Sequence, residues 1–340
     1  MKTSNNKYNI QFSRILLYSV LFSFLFFQSC DFLSRKKETI TQNPNPVDTI
    51  AVDENLQPLM TIISGDYERL QPERKIYTYY SPTKNCIADL VNGKASLCMV
   101  TRILSKEEED FIKQNNQDIR KYVLATDALA FIVNPENPVE RVTSEDLKKI
   151  FSGEYKEWSE LKVTLEGGKD PEEQNKAVID KMKGSDNKFK LFIQRQNSGT
   201  YDFVKDSILG ALEYSKTAQI CSTSAQMLDM IRKNKNAIGI SNLSWLSKGN
   251  QDSLDPSIKP LRISRIFANG KKDEFRQLHQ GLVYQKTYPY IRSVYLYCTD
   301  LISRINTAFI SFLIKTKGQS IILENGLVPL TQPVRVIQLN

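Results

Sequence analysis

The chain has 340 residues and a mass of 39.0 kDa, too long for one small core and suited to two lobes of ordinary domain size. Charged residues make up 25% and large apolar residues 41%, which excludes a disordered or multi-span protein. The net charge of +8 suits an anionic ligand or membrane surface, no aromatic-basic repeat marks a nucleic-acid module, and one histidine, His279, leaves almost no material for a His-based triad or a multi-His metal site.

Lys2, Lys7 and Arg14 precede an apolar run from Ile15 to Phe27, broken only by Ser19 and Ser23. Such a run is short for a bilayer span and fits the h-region of a signal peptide. Gln28-Ser29-Cys30 follows, similar to the lipobox of bacterial lipoproteins, in which the cysteine is acylated after cleavage; Phe27 stands where leucine is usual. An uncleaved anchor is the alternative, and either way the remainder is expected outside the cytoplasm. Removing residues 1–29 takes away three basic and no acidic side chains, so the charge falls to +5. Asp31 to Asp48 is polar, with Asn-Pro-Asn-Pro, and reads as a tether.

From Thr49 strand-like and helix-like segments alternate. Thr49–Val52 reads as a strand, and Leu56, Leu59, Met60 and Ile63 fall at helical spacing. Ile76–Tyr80 is strand-like, Ile87, Leu90 and Val91 helix-like, Ser96–Val100 a strand, and a polar helix starts at Lys106. This alternation predicts α/β layers with a largely parallel sheet. A second block opens near Asn134-Pro135-Glu136-Asn137-Pro138. There Thr143 is placed to cap a helix with Asp146 at its third position, Leu147, Ile150 and Phe151 form the apolar face, and Gly153 is the stop. Phe189–Gln194 reads as a strand, Tyr201–Leu212 as a helix and Ala237–Ser241 as a strand. The charged stretch between Lys162 and Lys188 reads as a surface excursion with one short helix at Gln174–Met182. The last block holds strand-like Gly281–Gln285 and Ser293–Cys298, then a helix with Leu301, Ile305, Phe309 and Phe312 on one face, read as core packing.

Beyond Cys30, four cysteines remain: Cys86, Cys98, Cys221 and Cys298. Their spacing fits no zinc motif, and it fixes no disulfide pairing.

Three places repeat one design, a strand followed by a small polar loop and a helix start: Asp53-Glu54-Asn55, Ser81-Pro82-Thr83-Lys84-Asn85 and Asn197-Ser198-Gly199-Thr200. Helix starts present unpaired N–H groups, hydroxyls add donors, and Gly199 lets backbone approach a ligand. Simple helix capping is the commoner use of such residues. Asp53 and Glu54 would repel an anion, so they are expected to face elsewhere or to accept a proton from a protonated ligand. Arg102 follows the strand Leu97–Val100 and Arg195 ends the strand Leu191–Gln194, where an arginine can clamp an oxyanion with paired hydrogen bonds. A surface or interlobe salt bridge is the alternative for each.

In order along the chain, Asn92-Gly93-Lys94 through Thr101-Arg102, Asp127-Ala128-Leu129-Ala130 through Asn137-Pro138-Val139, LKKIFSGEYKEW from Leu147 to Trp158, Asn197-Ser198-Gly199-Thr200, Ala237-Ile238-Gly239-Ile240, and Tyr288-Pro289 to Tyr295-Leu296-Tyr297 resemble the phosphate-binding, periplasmic-binding-protein-like family that serves ABC phosphate importers. The resemblance implies an α/β, two-lobed type II fold with two hinge crossings: residues 49–134 with 281–340 as one lobe and 135–280 as the other. It implies a monomeric, non-enzymatic binding protein without cofactor or metal, partnered by inorganic phosphate or a similar oxyanion and by permease subunits. Carried across by position, Ser81, Thr83, Thr101, Arg102, Arg195, Ser198, Gly199 and Thr200 become the ligand candidates. Asn197 replaces the glycine usual before Ser-Gly-Thr. No acidic residue stands beside Thr101 in the chain, where some relatives place the aspartate that accepts the phosphate proton, so a weaker preference for phosphate is expected. A sensing or adhesion lipoprotein reusing the fold, or a phosphatase on this scaffold, are the other readings.

Overall fold

The computed structural model describes residues 49–161, 187–249, 253–299 and 304–331. Cys30, the signal-peptide and tether segments, the helix expected at Gln174–Met182 and Leu301 lie outside the described residues.

The chain enters on β1 (Thr49–Asp53), whose five residues are all buried. A 3-10 turn at Glu54–Leu56 leads into α1 (Gln57–Leu70), with Pro58 in its first turn. Proline is tolerated there because that N–H has no helical partner. Leu59, Met60, Ile63 and Tyr67 line the buried face of α1, and each such side chain contributes roughly 1.5–3 kcal/mol on burial. β2 (Tyr77–Ser81), α2 (Thr83–Val91), β3 (Leu97–Val100) and α3 (Lys106–Gln114) complete the first block.

β4 (Ile119–Val133) is the longest strand. Its first half pairs antiparallel with β11 (Ile291–Thr299) and its second half with β8 (Ala237–Asn242). Around it runs a sheet of order β2-β1-β3-β11-β4-β8-β6-β7, with β6 at Lys190–Gln194 and β7 at Gln219–Cys221. β1 pairs in parallel with both β2 and β3, and β6 in parallel with both β7 and β8. The expected α/β layering is thus present, with antiparallel β4 and β11 joining two parallel wings. Parallel strands covered by helices are buried on both faces, which is why Ile50-Ala51-Val52 and Leu97-Cys98-Met99-Val100 are continuous apolar runs.

The second wing carries β5 (Arg141–Thr143), α4 (Ser144–Ser152), α5 (Gly199–Val204) with a π turn at Lys205–Leu209, α6 (Ser224–Lys233) and α7 (Leu243–Leu246). The expected capping of α4 is realised: Thr143 Oγ1 accepts from the Asp146 N–H, and the Asp146 carboxylate accepts from the Thr143 N–H. Gly153 ends the helix with φ 78°, a conformation that favours glycine. Phe151 packs edge-on against Phe131 of β4, fixing α4 to the sheet. The helix read as Tyr201–Leu212 instead starts at Gly199 and loosens into the π turn, which Gly210 ends at φ 58°. Short strands β9 (Lys259–Pro260) and β10 (Arg262–Ser264) follow.

One expectation is reversed. Gly281–Gln285 is not a strand: Gln280–Tyr284 forms α8, started by His279, whose Nδ1 accepts from the Gly281 N–H. An apolar run as short as Leu282-Val283-Tyr284 cannot by periodicity distinguish a strand from a helical turn, and the cap decides it. α9 (Arg304–Ile314), α10 (Thr316–Glu324) and β12 (Val328–Pro329) close the described fold. Phe309 and Phe312 of α9 pack against Tyr67 of α1, as core rather than surface. No helix of the described residues is long and apolar enough to cross a membrane.

Candidate functional site

The loops after β1, β2, β3 and β6 meet where the two wings face each other. Asp53 ends β1 and is fully buried. Its Oδ2 accepts hydrogen bonds from Thr83 Oγ1 at 2.6 Å and Thr101 Oγ1 at 2.8 Å. Its Oδ1 accepts from the Asn55 N–H at 3.0 Å and from Asn55 Nδ2 at 2.8 Å, which holds the 3-10 turn. From the second wing, the Gly199 N–H donates to Thr83 Oγ1 at 2.7 Å. The result is a relay, from the Gly199 amide through the Thr83 hydroxyl to Asp53, with Thr101 as a second donor.

The glycine is required by this approach. A Cβ at residue 199 would lie 2.7 Å from Thr101 Oγ1 and 2.8 Å from Thr83 Oγ1, closer than real contacts allow. Ser198 caps α5, its Oγ accepting from the Tyr201 N–H. Thr200 Oγ1 donates to Asn55 Oδ1 at 3.3 Å and accepts from Arg292 Nη1 at 3.2 Å. Arg292 in turn pairs with Asp127 at 3.0 Å, a buried ion pair directly across the β11–β4 register. Burial drives the Asp127 carboxyl above its ordinary pKa although Arg292 and Asn242 oppose the shift.

The sequence candidates divide. Thr83, Thr101, Gly199 and Thr200 belong to the connected cluster. Ser198 borders it through its cap. Ser81 lies opposite Asp53 in the β1–β2 register, and its carbonyl accepts from Cys86 Sγ. Arg195 is half-buried between the wings, and its buried Nε has no hydrogen-bond partner among the described residues. Arg102 turns away from the cluster. Its Nη1 and Nη2 donate to the two oxygens of Glu108 at 2.8 Å each, and its Nε donates to Asp202 of α5 at 3.1 Å. The salt-bridge alternative thus describes Arg102. Burial works against the Glu108 charge, but the Arg102 and Ser105 hydrogen bonds outweigh it and hold the carboxyl below its usual range. Lys84 Nζ also reaches Asp202, at 3.3 Å, and the Lys84 N–H donates to the Asn197 carbonyl.

Two readings are corrected. Of the two alternatives for Asp53, the first fails: its carboxylate does not face elsewhere but sits at the centre of the cluster. Thr101 does have an acidic neighbour, supplied by the chain 48 residues earlier. Sequence reasoning named the Asp53-Glu54-Asn55 loop but kept Glu54 and Asn55 out of the ligand set, and it left out Ser224, Asn242 and Arg292, the partner of Asp127. Their signal was weak: polar residues at strand ends, indistinguishable from caps. Among the described residues no group of three or more His, Cys, Asp or Glu side chains could hold a metal ion.

Comparison with known proteins places this geometry in a class. Residues 41–317 match the family model described as the PBP superfamily domain. The chain belongs to the PBP superfamily. It is similar to the phosphate-binding protein PstS of Pseudomonas aeruginosa, 22% identical over 294 residues, which cover 83% of this chain and 82% of that one. The PstS of Staphylococcus haemolyticus is 21% identical over 267 residues, covering 77% and 75%. Among solved structures, one described as a phosphate ABC transporter substrate-binding protein with bound phosphate, from Clostridium perfringens, superposes with a TM-score of 0.66 at 19% identity, covering 83% of this chain and 99% of that one. An ABC-type phosphate transport receptor from Vibrio cholerae gives 0.56 at 21% identity, covering 82% and 98%.

Proposed function

We propose that this chain is the extracytoplasmic solute-binding lipoprotein of an ABC importer, a monomer anchored through Cys30, that captures phosphate or a similar oxyanion between two hinged lobes. The lobes comprise residues 49–134 with 281–340 and residues 135–280, and the boundary at 134 falls just after β4. Solute capture, not chemistry on the solute, is the role of the site. The names of the similar proteins support this reading, and one observation carries it: Thr83, Thr101 and the Gly199 amide converge from both wings on a single point beside Asp53.

Asp53 makes the class of oxyanion narrower. A buried carboxylate facing an unprotonated oxygen is repelled at a cost of several kcal/mol, whereas a solute hydroxyl donates to it. The unpartnered Arg195 Nε supplies a donor to one remaining oxygen, and on solute binding the Thr83 and Thr101 hydroxyls and the Gly199 amide exchange their present acceptors, Asp53 and Thr83, for the others. The solute taken is therefore an oxyanion that keeps a proton near neutral pH, as phosphate does. Calorimetry of the purified protein with phosphate, sulfate and other oxyanions tests this. Phosphate should bind more tightly than sulfate. If no oxyanion binds, the transport reading yields to a sensing or adhesion lipoprotein.

A further inference from the structure

Glu54 lies beside the cluster just described but takes no part in it. It is 5% exposed, on the turn after β1. Its carboxylate faces the start of α6, 170 residues away: Oε2 accepts from the Ser224 N–H at 3.1 Å and Oε1 from Ser224 Oγ at 3.1 Å. Ser224 Oγ also accepts from Gln194 Nε2 at 2.9 Å and lies 3.2 Å from Asn55 Oδ1. The Glu54 carbonyl accepts from Trp245 Nε1 of α7. The carboxylate thus bridges residues that the proposed division puts in different lobes, and in this arrangement it is buried.

The charges facing it do not balance it. Asp53, its neighbour on β1, is a second carboxylate. Arg195, in the loop after β6, offsets part of the charge. α6 contributes its Ser224 donors and α7 only an indole. The Asp127–Arg292 pair lies behind Asn55 and Asn242 and is internally neutral. A captured anion adds a further negative charge to the same region and draws on Arg195, whose Nε has no partner among the described residues.

We propose that closure of the cleft over its solute takes up a proton on Glu54, so that capture of the anion is coupled to pH. This rests on the oxyanion-capture reading above and deepens it. Burial, opposed by the Ser224 hydrogen bonds and reinforced by Asp53, raises the Glu54 pKa from 4.5 to about 7 in the closed arrangement. Opening returns the carboxyl to water and toward its ordinary value. The closed form then holds more protons than the open form between those two values, and closure weakens as pH rises through the window.

The test is calorimetric titration of the detergent-solubilised full chain with inorganic phosphate, in two buffers of different ionisation enthalpy, comparing wild type with Glu54→Gln. Protons exchanged by phosphate itself are common to both proteins and cancel. Wild type should take up close to one proton more than Glu54→Gln at pH 6, falling to about half a proton at pH 7. Equal proton counts with phosphate bound to both proteins overturn the proposal and leave the capture reading standing. Binding of no oxyanion by either protein overturns the capture reading and the proposal together. If Glu54→Gln fails to fold, Ser224→Ala serves instead. It removes a donor to the ionised carboxylate, so uptake at pH 7 should increase, and an unchanged count there overturns the proposal.

Discussion

Asp53 Oδ2 and Thr101 Oγ1 lie 2.8 Å apart across a 48-residue separation, which places a carboxylate against a hydroxyl that is itself a candidate solute donor. On the proposed reading, the site discriminates by whether the solute presents a hydrogen or a bare oxygen to that carboxylate. Asp53→Asn removes the charge and keeps the shape. It should weaken phosphate binding and strengthen sulfate binding, reducing the preference by roughly tenfold or more, the equivalent of about 1.4 kcal/mol. Titration of both proteins with both anions decides it, and an unchanged ratio removes Asp53 from the specificity argument.

Arg195 should matter more than any other cation at the cleft. Its Nε is buried without a partner, so a solute oxygen would satisfy it. A charge-assisted hydrogen bond contributes about 1.5–3 kcal/mol, so Arg195→Ala should raise the dissociation constant for phosphate roughly tenfold to a hundredfold. Thermal melting should move little. Lys84→Ala, which touches only a half-exposed ion pair with Asp202, should cost less.

Gly199→Ala tests the close approach. The added methyl would push against the Thr83 and Thr101 hydroxyls, which can rotate only by leaving Asp53. Phosphate affinity should fall by roughly tenfold or more, with the melting temperature within a few degrees of wild type. Retained affinity would place the solute away from this loop.

Arg102 and Asp202 form a bond between the wings with side chains 16% and 23% exposed. Such a partly screened pair should show a coupling of about 0.5–1 kcal/mol in a double-mutant cycle on phosphate affinity, shrinking as salt is raised. Zero coupling at low salt would show that the bond does not contribute to holding the wings together.

Glu54 also governs stability. Its native pKa of about 7 lies above the ordinary 4.5, so the native state binds more protons than the unfolded chain, and stability falls as pH rises through that window. Relative to Glu54→Gln, wild type should lose on the order of 3 kcal/mol between pH 4.5 and pH 8. Denaturant midpoints across this range provide the measurement. A parallel pair of curves would show the carboxyl to be hydrated in the folded protein.

Most of the scaffold was legible because its signals are local. The Thr143–Asp146 box and Gly153 are separated by a few residues, and the buried runs at β1 and β3 announce parallel strands directly. The site was legible only in part because its contacts are long-range. Repulsion argued that Asp53 faces elsewhere or takes a proton from the ligand, and only the long-range approach of Thr83 and Thr101 puts its carboxylate inside the cluster. Arg102 showed the converse: a strand-end arginine looked like a clamp, but the Ser105–Glu108 capping box of α3 turns a carboxylate toward it first.

The anchor is open to a direct test. Cys30→Ser should abolish lipid attachment and leave either soluble protein or an unprocessed precursor, read by membrane fractionation and mass spectrometry. Fully processed Cys30→Ser protein retained on the membrane would rule out lipidation at that residue.

All four described cysteines are buried thiols, and burial drives those of Cys86, Cys98 and Cys221 above the ordinary range. Thiolate, the reactive form, is therefore scarce in the native protein. A cysteine introduced on the exposed rim of each wing would thus be modified selectively, without first replacing the native ones. If the lobes close on the solute as proposed, fluorophores attached there would report the distance between the wings in real time, turning the protein into a reagentless sensor of its own solute.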